Sequence, residues 1–268
     1  MRNHVGICDL RYSVTPDRFT SGSFVGEVAL NGVRSKSPLW RSRRVCADII
    51  QWDIGTWKYG LGFWEQTAGD LDSLLGLEIG SRDGGLSLFL ALHGCRVVCS
   101  DVCGPTDRAK ELHRTYGVSG LVSYTSIDAK GIPYPDGSFD VVILKSVLGA
   151  LGGDDCAMGA QREALAEIRR VLKPGGHFLF AENMRGSRLH STLRRRLIPW
   201  GHYWQYFTPA QIDDLLLGFT TVELSFRGFA ATLGRREWQR SLLHQLDRVL
   251  VPLLPIHLRY VVFGHAVK

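Results

Sequence analysis

From residue 74 onward the sequence alternates short apolar runs of strand length with stretches of helical spacing. This alternation is the pattern of a parallel sheet covered by helices on both faces, and few other architectures accommodate it. Strands are expected over 74–79, 95–100, 121–126, 139–144, 177–181, 220–226 and 259–267, with helices over 84–92, 107–116, 162–172, 209–217 and 236–251. The fourth strand is uniformly apolar after Asp140, as a central strand buried on both faces requires. Lys173-Pro174-Gly175-Gly176 is read as a stop after the third of these helices, and Thr208 as the N-cap of the fourth. The resulting fold class is α/β: a Rossmann-like, doubly wound, seven-stranded sheet, mostly parallel with an antiparallel last strand, plus an N-terminal extension. Residues 1–70 are assigned to that extension or lid and 71–268 to the α/β domain. Residues 1–50 carry turn formers and only weak alternation. The aromatics Trp52, Trp57, Tyr59, Phe63 and Trp64 form either a hydrophobic staple onto the core or a lid over a ligand.

At 268 residues the chain can form one large α/β domain with extensions. No apolar run approaches the roughly 20 residues that span a bilayer, and Met1-Arg2-Asn3-His4 leads into no apolar stretch of signal-peptide length. The expected location is the cytoplasm. A net charge of +6 fits an anionic substrate, an anionic surface, or simply a basic protein. The arginines concentrate at Arg185, Arg188, Arg194, Arg195 and Arg196 without an aromatic-rich surround, so no nucleic-acid partner is expected. That stretch and the apolar 249–254 are candidates for peripheral membrane association, with surface solvation and core packing as the alternative. The six cysteines are expected as reduced thiols. Cys95, Cys99 and Cys103 recur at every fourth position, but Cys95 and Cys99 flank Val97-Val98 in a strand, where cysteine behaves as a small hydrophobe, so no metal site is expected.

In an open parallel sheet the ligand lies beyond the carboxyl ends of the strands. Glu78 and Gly80 follow the first strand, and Gly84 and Gly85 open the next helix. Glycines let backbone approach a ligand, and a helix amino terminus offers free N–H groups to a carboxylate or phosphate. Alone this turn is weak, because Gly80-x-Arg82-x-x-Gly85 lacks the middle glycine of a dinucleotide fingerprint. Asp101 ends the second strand, where an acid can accept both ribose hydroxyls of a nucleoside. Asp128 follows the third strand, where a carboxylate can accept the exocyclic amine of adenine. Three acids in order at three strand ends favour a nucleoside site.

The segment 132–142 (IPYPDGSFDVV), the segment 168–178 (IRRVLKPGGHF) and the segment 206–212 (YFTPAQI) make the reading specific. From Leu75 to Val267 the sequence resembles class I S-adenosylmethionine-dependent methyltransferases. The resemblance implies that Glu78, Gly80 and Gly84 hold the methionine end of the cofactor, Asp101 the ribose, and Asp128 with Ala129 the adenine. It places Lys145 near the sulfonium and the substrate. Arg82 replaces the family's central glycine, so it either narrows the pocket or reaches a cofactor carboxylate. Leu148-Gly149-Ala150 stands where many small-molecule members carry a histidine pair, which leaves the catalytic base unassigned.

Methyl transfer from a sulfonium is an in-line displacement that needs alignment and exclusion of water. A sugar hydroxyl acceptor also needs a proton acceptor. The candidates are His202, Tyr206 and Glu182, with capping or orientation of a backbone amide as the alternative for His202 and Glu182. The expected acceptor is a small molecule or glycan, and the turn with its flanking motifs resembles a branch found in bacterial surface-polysaccharide biosynthesis. The rival readings are a natural-product or other small-molecule acceptor, a non-catalytic binding protein that keeps the pocket, and a nicotinamide-dependent oxidoreductase.

Overall fold

The computed structural model describes residues 39–151, 158–188, 190, 192 and 204–268. Residues 1–38 of the expected extension, Arg194–Arg196 and the candidate base His202 lie outside them. Seven strands, β1 (Leu75–Ile79), β2 (Arg96–Asp101), β3 (Val122–Ser126), β4 (Phe139–Lys145), β5 (Leu172–Asn183), β6 (Thr221–Arg227) and β7 (Val261–Val267), form one sheet in the order β3-β2-β1-β4-β5-β7-β6. β3 through β5 are parallel; β7 inserts antiparallel between β5 and β6. The order reverses at the β1–β4 boundary. The carboxyl ends of β1, β2 and β4 therefore border the crevice where such sheets bind ligands.

The apolar runs decide which strands are central. In β4, Phe139 and Val141–Leu144 are completely buried, and each parallel neighbour contributes a matching apolar row. One face of the sheet packs against α1 (Arg43–Ile50), α2 (Ile54–Thr67) and α3 (Gly85–Leu92) through Trp57, Trp64, Phe89 and Phe263. The other face packs against α6 (Gly159–Val171) and α7 (Pro209–Leu215) through Ile168, Phe178, Phe180 and Ile212. Between α3 and α6 lie α4 (Asp107–Thr115) and the short α5 (Leu148–Leu151); α8 (Glu237–Leu250) precedes β7. Thr208 caps α7 with a reciprocal Gln211 bond, as its sequence predicts.

Several features depart from the sequence pattern. Residues 43–50, unread in the sequence, form a helix capped by Ser42, whose Oγ accepts from Val45 N, with Val45, Cys46, Ile49 and Ile50 turned inward. Leu172, expected to end a helix, opens β5 by pairing with Phe139, and residues 173–176, expected as a turn, fall inside β5 at a register shift before the Val141–His177 pair. In the aromatic crowd, Trp57 and Trp64 are core residues, while Tyr59 is 40% exposed. Cys46, Cys95 and Cys99 are buried free thiols, and burial pushes Cys95 and Cys99 up to about 12. Cys103 is disulfide-bonded, which corrects the expectation of a fully reduced set.

Trp64 joins helix to sheet: its ring packs on Phe89 and Phe263, and its Nε1 donates to Gly264 O at 3.0 Å. Gly264 is required there because a Cβ would overlap the Phe180 ring. Trp64→Ala leaves a cavity and an unpaired buried carbonyl, so a loss of about 3–5 kcal/mol is expected in denaturant unfolding. A loss below 1 kcal/mol would show that α2 does not bear on the stability of the sheet.

Candidate functional site

At the end of β1 the Glu78 carboxylate is buried and receives the first amides of α3: Leu86 N at 3.2 Å and Ser87 N at 2.7 Å, together with the Ser87 hydroxyl. Burial pushes its carboxyl up to about 7, and the bonds from Ser87 and Leu86 oppose that rise. Between strand and helix, Gly80 (φ +69°), Arg82 (φ +44°) and Gly84 (φ +72°) take left-handed backbone. At Arg82 this conformation disfavours any residue but glycine. Two hydrogen bonds hold it: Arg82 N donates to Asp101 Oδ2 at 2.9 Å, and Arg82 O accepts from Thr106 N at 3.0 Å. The Arg82 side chain is about half exposed, its Nε 3.6 Å from Asp83 Oδ2.

Gly84 is pinned from α4. His113, fully buried, sets Nε2 2.8 Å from Gly84 O and Nδ1 2.8 Å from the Tyr124 hydroxyl. Burial lowers its pKa. The neutral ring therefore donates from Nε2 to the carbonyl and accepts from Tyr124. A Cβ at Gly84 would come within 2.6 Å of His113 Cε1, which reserves the position for glycine.

Asp101 ends β2, and the following Val102 is 54% exposed, an apolar surface beside an acid. Asp128, two residues beyond the end of β3, accepts from Lys130 N at 3.0 Å, with buried Ala129 next to it. At the end of β4, Lys145 Nζ donates to Ile50 O at 2.6 Å and lies 5.7 Å from the Trp57 ring centre. Burial pulls its ammonium down to about 8; Glu78 raises it and Arg82 lowers it further, so these three charges share one neighbourhood. The carboxyl end of α1 thus sits over the site, with Ile49 O against Gly85, where a Cβ would collide with it.

The structure brings two of the three catalytic candidates to the same edge. Glu182, near the end of β5, is fully buried and accepts from Val147 N and Leu148 N, each at 2.7 Å. It therefore holds the loop after β4. Burial pushes its carboxyl up to about 7 against those amide bonds. Gln205 N donates to Gly149 O at 2.9 Å, and Gln161 Nε2 joins Leu148 O to Gln205 Oε1. Trp204 lies so close to Gly149 that any side chain there would strike its indole, which reserves the position for glycine. Half-buried Tyr206 continues this segment into Phe207, whose N donates to Asn183 O. Trp57 was expected in the aromatic crowd, whereas the α1 terminus, His113, Gln161 and Trp204 were not anticipated; of these only α1 left a signal, the Ser42 cap followed by Val45, Cys46, Ile49 and Ile50. Among the described residues no group of three or more His, Cys, Asp or Glu is placed to hold a metal, and no helix is long and apolar enough to cross a membrane.

Residues 77–180 match a methyltransferase domain. Over that segment the chain is similar to the class I S-adenosylmethionine-dependent methyltransferases. It is 30% identical over 162 residues to a sarcosine/dimethylglycine N-methyltransferase of Halorhodospira halochloris, covering 59% of this chain and 55% of that one. It is 32% identical over 89 residues to the ubiquinone/menaquinone biosynthesis C-methyltransferase UbiE of Cellvibrio japonicus, covering 31% and 33%. The chain therefore spans about half or less of these relatives' lengths. A phosphoethanolamine N-methyltransferase of Haemonchus contortus, solved with S-adenosyl-L-methionine, shares the fold at TM-score 0.57 and 18% identity over 88% of this chain and 60% of that one.

The Glu182 geometry carries a pH signature. A carboxyl whose pKa rises from 4.5 to about 7 on folding takes up protons when the chain folds, so its contribution to stability falls as pH climbs through that window. Glu182→Gln keeps an amide acceptor without the titration. Its stability relative to the parent should rise by about 2–3 kcal/mol between pH 5 and 7 and stay level above, measured by urea unfolding at each pH. A difference that does not vary with pH would show that Glu182 is ionised throughout.

Proposed function

We propose that this protein transfers a methyl group from S-adenosylmethionine to a small-molecule acceptor, with the cofactor across the carboxyl ends of β1 to β4. The observation that carries this reading is the row of Glu78, Asp101 and Asp128 at three successive strand ends beside a left-handed loop. The charges suit a zwitterionic amino-acid group at one end, where Glu78, Arg82 and Lys145 cluster. They suit a nucleoside at the other, where the acids Asp101 and Asp128 border exposed Val102 and buried Ala129. In this reading Gly80 and Gly84 hold the backbone against the methionine end, Asp101 accepts from the ribose, and Asp128 with Ala129 receives the adenine. Asp101 has acceptor capacity beyond its bond to Arg82 N. S-adenosylmethionine, when bound, supplies an electrophilic methyl on a sulfonium.

The chain's own groups then align the acceptor and exclude water. In this proposal Trp57 and the α1 terminus close the β4 side. Trp204 and Gln205 close the loop after β4. Glu182 acts as a positioning residue through Val147 and Leu148, which leaves His202 and Tyr206 as candidates to take a proton from the acceptor. The acceptor favoured is a sugar hydroxyl, on a glycan or glycan precursor of surface-polysaccharide biosynthesis in the cytoplasm. The +6 net charge favours an anionic one. Nitrogen or carbon acceptors form the second reading, because the relatives' names specify N- and C-methylation.

Asp101→Ala should weaken S-adenosylhomocysteine binding in calorimetry by at least about tenfold; wild-type affinity would remove Asp101 from the ribose. His202→Ala and Tyr206→Phe should leave that affinity unchanged, and one of them should slow turnover by about 10²–10⁴-fold on a hydroxyl acceptor. Full turnover in both would remove both as proton acceptors. Product release measured against sugar, amine and quinol panels separates the two acceptor readings.

A further inference from the structure

We propose that the outer face of α8 and the two turns after it form a docking surface for an anionic lipid bilayer, whatever acceptor the site methylates. Trp238, Leu242, Leu246 and Val249 are 62%, 66%, 48% and 66% exposed. At 3.6 residues per turn they fall within an arc of roughly 80°. Leu253 and Ile256, 79% and 47% exposed, extend the apolar row through the 3-10 turns Val251–Leu253 and Ile256–Leu258. Single exposed hydrophobes are ordinary on a soluble protein; a continuous stripe at helical spacing is not.

The charges around the stripe identify the occupant. α8 has two acids, and both are committed to backbone amides of the protein. Glu237 accepts from Asp53 N and Ile54 N at 3.1 and 2.9 Å, and Asp247 from the amides of Phe229, Ala230 and Ala231. What remains outside is cationic: Arg235, Arg236 and Arg248 are exposed, and exposed Lys58 of α2 adds to the field at His244. A helix with one aromatic and aliphatic sector flanked by arginines, its two acids engaged by backbone amides of the protein, matches the interfacial helix that lies in the headgroup plane. A second copy of the chain would bring the same arginines together, which disfavours a symmetric dimer through this face. The neighbouring cavity, about 210 Å³, is lined by Met184, Phe207 and Pro209 at the carboxyl end of β5 and by His257 of the last turn, next to Ile256. The docking face therefore adjoins an apolar recess on the ligand-binding side of the sheet.

The test is flotation of the full-length protein with phosphatidylcholine vesicles, with and without phosphatidylglycerol. The parent should float with the anionic vesicles and lose binding as salt rises. Leu242→Glu/Val249→Glu should lower partitioning by about tenfold or more. Arg235→Gln/Arg236→Gln/Arg248→Gln should lower it on anionic vesicles alone. Circular dichroism and thermal melts like the parent's would establish that these surface variants fold. Failure of the parent to float, or equal flotation of the Leu242→Glu/Val249→Glu variant, would overturn the proposal. So would a dimer in sedimentation that this variant dissociates without any vesicle binding, since the face would then join copies of the chain.

Discussion

The bond between Glu78 and the amino end of α3 is the constraint on which the ligand-binding edge depends. A carboxylate at the end of a central strand takes the Leu86 and Ser87 amides, and with them the positive end of the helix. The five residues between strand and helix then have no freedom to extend, and the chain turns through left-handed backbone at Gly80, Arg82 and Gly84. Asp101 fixes the middle of that turn through Arg82 N, and His113 fixes its end through Gly84 O. β1, β2 and α4 thus converge on one loop. Without Glu78 the first turn of α3 would present buried amides with no acceptor, and the loop would lose its reason to fold tightly.

The same carboxylate sets the electrostatics of the neighbouring strand end. Lys145 is buried beside it, with an ammonium drawn down toward 8, and it is anchored to the carbonyl of Ile50 rather than to an acid. A buried lysine so placed answers to charge entering the crevice: an anionic group there would raise its pKa, a cation would lower it further. The anchor belongs to α1, whose last carbonyls also rest on Gly85 and Lys145. Movement of α1 would therefore change both the packing against the glycine loop and the partner of Lys145. The helix before the sheet and the charge inside the site are one mechanical unit.

The sheet was legible because its central strands are buried on both faces and read as continuous apolar runs, and the acids were legible because ligand groups in such sheets fall at strand ends. What stayed hidden depends on contacts that no local pattern records. α1 is eight residues long, too short to stand alone, and is held by the burial of Val45, Cys46, Ile49 and Ile50. His113 meets Gly84 from 29 residues away, and Glu182 meets the Val147 and Leu148 amides from more than 30. In sequence Glu182 is an acid at a strand end like Glu78 or Asp101; only its burial and its partners show that it supports a loop. Residues 173–176 read as a turn because proline and glycine dominate them; Gly175 does take left-handed backbone, but the pairs Leu172–Phe139 and His177–Val141 on either side carry the segment into β5 as an irregularity of the strand.

Arg82 and Gly149, the two departures from the family pattern, have local physical causes. At position 82 a glycine is dispensable because the amide and carbonyl of the residue there are both bonded, to Asp101 and Thr106, so the backbone is held in the left-handed region whatever side chain it carries. The site gains a cation at the mouth of the glycine loop, close enough to act on Lys145. At position 149 the reverse holds: Trp204 and Gln205 close onto the backbone, and no side chain fits. In the function proposed above, the proton acceptor for a hydroxyl then comes from elsewhere, and the segment packed on Gly149 runs from Trp204 directly into Tyr206, one of its two candidates.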